Sequence, residues 1–167
     1  MPGLPFDPVV RARDLWAEHG WGAAADGMAA VTSLMRAQQV VAARTAQALR
    51  PTGLTFARYE LLMLLLFSRE GRLPMGKASA RLQVHPTSVT NAVDRLGAAG
   101  LVRREPHPSD GRATLVVLTA EGRELALRAT DLLNEQVFRV PGLAPDRVRV
   151  LVEVLTHLRR DAGDFSV

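Results

Sequence analysis

Beside the acid Asp94, six side chains able to hydrogen-bond or carry positive charge fall within one short stretch: His85, Thr87, Ser88, Thr90, Asn91 and Arg95. Interleaved with them are Val89, Val93 and Leu96, at the spacing that buries one face of a helix and leaves the polar set pointing outward. Short hydroxyls and an amide on an exposed helical face suit recognition: they bond to base edges or phosphates, and threonine methyls touch thymine methyls. An ordinary solvated face would look similar, so the surroundings decide. Residues 71–112 carry seven cations, Arg72, Lys77, Arg81, Arg95, Arg103, Arg104 and Arg112, against three acids, Asp94, Glu105 and Asp110. This segment therefore holds the whole net charge of +4, while the rest of the chain balances to zero. A polyanion responds to such a local field and not to an average. Close by, Asp110-Gly111-Arg112 closes a run of turn formers that begins at Pro106. An arginine at the tip of a β-ribbon can enter a narrow minor groove, with Asp110 near enough to orient it.

Other chemistries find little support. The histidines, His19, His85, His107 and His157, are dispersed without the close spacing of many metal sites, and there is no cysteine. Catalysis would need a nucleophile with a base or a metal cluster, and no phosphate-binding glycine loop is present, so an enzyme is not expected and no cofactor is implied. A hydrophobic fraction of 47% argues against a disordered chain. No run reaches the roughly 18 to 20 apolar residues of a membrane span. Residues 1–7 lack the pattern of a secretory signal. A cytoplasmic protein is the plain expectation.

The elements that must position the polar face follow from caps and periodicity. Asp7-Pro8 starts a helix expected to reach about His19. A second helix is expected over 24–49, with Met28, Val31, Leu34, Met35 and Val41 at helical spacing, interrupted by Gln38 and Gln39 as a subunit interface would be. Thr55 caps a third, 56–67, apolar on nearly every side and so central. A short helix over 75–82, a three-residue break and a Pro86-initiated helix ending before Gly100 make a helix-turn-helix. Strands are expected at 101–105 and 113–118, joined by the loop 106–112. Thr119 caps a helix to about Arg139, and a last helix opens near Pro145 with Val148, Leu151, Val152, Leu155 and Leu158 along one stripe. The fold class is mainly α with a small β-wing: a winged helix-turn-helix domain plus dimerisation helices.

Residues 82–96 (LQVHPTSVTNAVDRL), 100–104 (GLVRR), 110–112 (DGR) and 118–122 (LTAEG) together resemble the MarR family, the multiple antibiotic resistance regulators. The match is specific over about 55–122, and the flanking helices agree with that family's dimerisation region. The resemblance implies a triangular homodimer, usually a repressor, bound to palindromic double-stranded DNA and released by a small phenolic or carboxylic ligand. On this sequence the implied major-groove readers are His85, Pro86, Thr87, Ser88, Thr90 and Asn91. Arg95 would contact backbone or bases, Lys77 joins the DNA-facing cations, and Asp110 with Arg112 forms the wing tip. The implied division is one unit over 1–167, with an N-terminal extension and dimerisation helix (1–54), a DNA-binding region (55–119) and C-terminal dimerisation helices (120–167).

The extra N-terminal helix is similar to the urate-responsive branch of that family, which places a tryptophan in the ligand pocket. Trp16 fits that role, with Glu60 where an aspartate is expected and Arg104 as a basic partner. A further arginine expected on the reader helix is Ala92 here, so the resemblance implies a small organic anion without fixing it as urate. Trp16 and Trp21 would serve equally as apolar clamps on a packed helix. The rival to a DNA-binding regulator is a protein-binding or dimerising winged helix module, which needs neither a polar reader face nor a cationic wing.

Overall fold

The computed structural model describes residues 3–166, with Gly111 and Arg112 described by their backbone alone. The chain divides into two compact units, Met1–Arg44 and Thr45–Val167. In the first, helix α1 (Pro8–Glu18) opens on Asp7, whose carboxylate accepts from the Val9 amide at 2.8 Å. Gly20 turns the chain at φ 84°, a conformation a Cβ would resist. Helix α2 (Gly22–Leu49) follows and runs on into the second unit.

The second unit is built on helix α3 (Phe56–Leu66), capped by the Thr55 hydroxyl. Leu61, Leu62 and Leu65 are fully buried, as a helix apolar on nearly every side requires. Phe67 lies just beyond the helix and is 79% exposed. Helices α4 (Met75–Leu82) and α5 (Pro86–Ala98) pack on α3, and Val93 and Leu96 join its leucines in the core. Helix α6 (Ala120–Leu133) is tied to α3 by the Tyr59 hydroxyl and Thr130 Oγ1, 3.1 Å apart. It continues through one π-helical turn, Asn134–Phe138, before helix α7 (Pro145–Asp161).

The sheet departs from expectation in two ways. A third strand, β1 (Arg72–Pro74), precedes α4 and pairs antiparallel with β3 (Asp110–Leu118), which pairs in turn with β2 (Val102–His107), giving the order β1-β3-β2. Three residues with a single buried side chain, Leu73, carry too little alternation to announce a strand; pairing with Val116 makes it one. The expected seven-residue loop shrinks to a turn at Pro108 and Ser109, because β2 (Val102–His107) and β3 extend into it. Pro106 is tolerated since β2 is an edge strand, and the register shifts between Pro106 and His107.

One junction sets the angle between α5, the wing and α6. Gly100, at φ 72°, ends α5; its amide bonds to the Gly97 carbonyl and that of Leu101 to the Leu96 carbonyl, each at 2.9 Å. Across the hairpin, Thr119 Oγ1 donates to the Gly100 carbonyl at 2.8 Å and accepts from the Gly122 amide at 3.0 Å. The Thr119 amide bonds to the Leu101 carbonyl at 3.2 Å. A Cβ at Gly122 would lie 2.0 Å from that Leu101 oxygen, so only glycine fits. In contrast, a Cβ at Gly97 meets its nearest atom, the Val102 oxygen, at 3.9 Å. Two Gly→Ala substitutions should therefore have opposite signs in urea unfolding. Gly122→Ala loses about 3 kcal/mol through overpacking, and Gly97→Ala gains about 0.5 to 1 kcal/mol through helix propensity.

Candidate nucleic-acid interface

The turn between α4 and α5 is held from both sides. Gln83 adopts the left-handed conformation at φ 53°, uncommon for a side-chain-bearing residue. Ser79 Oγ donates to the Val84 carbonyl at 2.7 Å. The Gln83 amide donates to the Asp164 carbonyl, and Arg159 donates to Gln83 Oε1 at 3.4 Å. Arg159 is itself fixed by Asp164 at 2.6 Å and lies 5.3 Å from the Phe165 ring centre. The chain after α7 thus braces the helix-turn-helix against its unfavourable φ.

Helix α5 has the two faces its spacing dictates. Val89, Val93 and Leu96 are buried, while His85, Pro86, Thr87, Ser88, Asn91 and Arg95 are exposed. Thr90 differs from the expected outward orientation: it is half-buried, and its hydroxyl donates to the Pro86 carbonyl at 3.1 Å. Threonine on a helix commonly back-bonds in this way, which lowers its availability to a base. His85 caps the helix, its Nδ1 accepting from the Thr87 amide at 3.3 Å, so its other ring nitrogen is the one left for a ligand. Lys77 is exposed on α4, and Asp110 is exposed at the start of β3. Arg112 lies on β3; its side chain is outside the described residues.

The acids are distributed unevenly. Arg72 pairs with Glu70, Arg103 with Glu105 at 2.8 Å, and Arg104 with Asp94 at 2.7 Å. Among the described residues Lys77, Arg81 and Arg95 have no carboxylate partner, and all three lie on α4 and α5. The wing-side arginines are partly neutralised; the helix-turn-helix keeps its charge.

The residues expected to hold a ligand stand apart from one another in role. Trp16, half-buried, packs edge-to-face on Trp21 with ring centres 5.2 Å apart, and His19 stacks on Trp21. Arg104 is engaged by Asp94, and among the described residues no ion pair joins it to Glu60. Glu60, on α3, has its pKa raised above the ordinary carboxylate value by partial desolvation. Sequence reasoning missed Arg58, which shares a groove of about 390 Å³ with Ser88, Asn91 and Arg95. Its signal was present: a cation in the first turn of a helix opposes the helix dipole and invites another explanation.

Comparison with known proteins bears on the family and the fold. A family model described as MarR family matches residues 52–113. Among curated relatives, an uncharacterized HTH-type transcriptional regulator of Mycobacterium leprae is 36% identical over 93 residues. That alignment covers 55% of this chain and 65% of the relative, so the match spans just under two thirds of the relative's length. A MarR family transcriptional regulator from Streptomyces coelicolor, Sco5413, superposes with a TM-score of 0.77 at 46% identity, over 85% of this chain and 99% of that one. A second from the same organism, Sco3205 in complex with DNA, gives 0.71 at 27% identity, over 80% and 86%. Among the described residues no three histidine or acidic side chains gather as a metal site would need. None of their helices is long and apolar enough to cross a membrane.

The raised pKa of Glu60 makes a testable statement about pH. A carboxyl whose folded pKa is raised stabilises the fold most below its unfolded pKa, and that contribution is lost as pH rises through the folded value. Glu60→Gln removes the loss. Chemical denaturation should find the variant more stable than wild type at neutral pH, with the difference vanishing below the carboxylate range.

Proposed function

Because the chain belongs to the MarR family of winged helix transcriptional regulators, we propose that it is a homodimeric repressor, holding a palindromic operator until a small organic anion releases it. The observation that carries this reading is the exposed face of α5, with Thr87, Ser88 and Asn91 beside cations that have no partner acid among the described residues. Residues 55–119 make the DNA contact in this reading, with 1–54 and 120–167 supplying dimerisation. His85, Pro86, Thr87, Ser88 and Asn91 read base edges, and Arg95 and Lys77 meet backbone. Thr90 contributes its methyl more than its hydroxyl. Asp110 and Arg112 carry the wing into the minor groove. The anion is assigned to the aromatic cluster around Trp16.

Dimerisation is supported by apolar surface. No residue of α7 is buried, and Val150, Leu151, Val154 and Leu158 are each at least 44% exposed. One helix-turn-helix offers too few base contacts for specificity, so two half-sites about 10 bp apart are expected. Leu151→Glu should convert the dimer to monomer in sedimentation and abolish tight operator binding; a folded wild-type monomer that binds a palindrome tightly would refute the assembly.

Helix and wing should fail differently. Asn91→Ala is expected to cost roughly 1 to 3 kcal/mol on the operator and relax preference at one base position, since a side-chain amide bonds specifically. Arg112→Ala should weaken binding to many sequences and make the salt slope shallower by about one charge. Titrations against operator and scrambled DNA at several salt concentrations measure both. An Asn91→Ala protein with unchanged preference would remove α5 as the reader.

A further inference from the structure

The groove beside α5 has a composition that its packing does not explain. It runs between the first turn of α3 and the exposed face of α5, and Thr55, Arg58, Ser88, Asn91 and Arg95 line it. Its lining contains no carboxylate. Among the described residues neither Arg58 nor Arg95 takes part in an ion pair. Arg58 Nε donates to Thr55 Oγ1 at 3.1 Å, which fixes the guanidinium on the helix it caps. Two cations converging in one groove repel each other, and Arg58 is further opposed by the positive end of α3. An anion in the groove relieves both conflicts.

The chemistry selects which anion. Ser88 and Asn91 belong both to the groove and to the face read here as contacting bases. A helix lying in the major groove has a sugar-phosphate strand along each side, so the anion next to this face is a phosphodiester. A guanidinium matches phosphate oxygens with two parallel N–H donors. We propose that Arg58 and Arg95 form a seat for one DNA backbone phosphate beside the reader helix. The contact fixes the depth and register of α5 and carries no base information. It rests on the assignment of α5 as the reader.

The test uses full-length wild type, Arg58→Gln, Arg58→Lys and Asn91→Ala, titrated against operator and scrambled DNA from low to moderate salt. Arg58→Gln is expected to lose about tenfold or more in affinity for both DNAs. It should also flatten the salt slope by about 0.9, with the operator-to-scrambled ratio unchanged. Arg58→Lys keeps the slope but loses part of the affinity, because an ammonium cannot bond in parallel pairs; its melting curve guards against a folding defect. The seat is refuted if Arg58→Gln keeps wild-type affinity and slope, or alters the ratio instead. Should Asn91→Ala relax preference while Arg58→Gln binds like wild type, the seat fails and the reader stands. Wild type binding neither DNA would overturn both. Benzoate is titrated into the same proteins without DNA. If it binds wild type but not Arg58→Gln, and the DNA salt slopes agree, the groove belongs to a free acid and the phosphate seat is wrong.

Discussion

The placement of the helix-turn-helix and the hairpin hangs on the close approach of α6 to the backbone at Leu101. Thr119 bonds at once to the end of α5, through the Gly100 carbonyl, and to the start of α6, through the Gly122 amide. The missing side chain at Gly122 lets the helix come that near. Helix, hairpin and following helix therefore meet at one hydrogen-bonded corner, and none can rotate without breaking a bond in the other two. A reader helix must hold its side chains to within a fraction of an ångström, which loops alone do not achieve. The corner supplies that rigidity from the core side.

The second organising effect is electrostatic and works by subtraction. The net charge of +4 is modest for a protein that meets a polyanion. Asp94, Glu105 and Glu70 each pair with an arginine on or beside the wing, so they subtract little from the field of α4 and α5. Exposed pairs of this kind contribute at most about 1 kcal/mol to stability. Their larger consequence is where the uncompensated charge remains. Asp94 illustrates the point: it lies on α5, yet its carboxylate is turned to Arg104 on β2.

How much of this was legible depended on how local each signal was. Asp7, Thr55, Pro86, Gly100 and Thr119 mark helix ends by chemistry confined to a few residues, and the observed helices begin and end within about two residues of them. The buried side of α5 was equally readable, since Val89, Val93 and Leu96 follow helical period. β1 was not, because three residues become a strand only through pairing with residues more than forty positions away. The hairpin was misjudged for a related reason. Proline and glycine in 106–112 read as loop, whereas an edge strand accepts Pro106 without losing a ladder bond. Arg58 escaped notice because its groove is shared with side chains thirty residues on. The Gln83 brace crosses a still longer span to Arg159 and Asp164.

That last contact links two requirements. Helix α7 is seventeen residues long, buries none of them, and exposes Val150, Leu151, Val152, Val154 and Leu158. A helix of this length is marginal in water without a packed face. Yet its end carries Arg159, and the segment beyond it carries the Asp164 carbonyl, the two groups that hold Gln83 in its left-handed turn. When the apolar face of α7 is covered, the helix is stabilised and the brace on the helix-turn-helix is stabilised with it. If α7 frays, Gln83 loses the bonds that offset its unfavourable φ, and the angle between α4 and α5 loosens. Covering α7 therefore also steadies the turn between α4 and α5, within one chain.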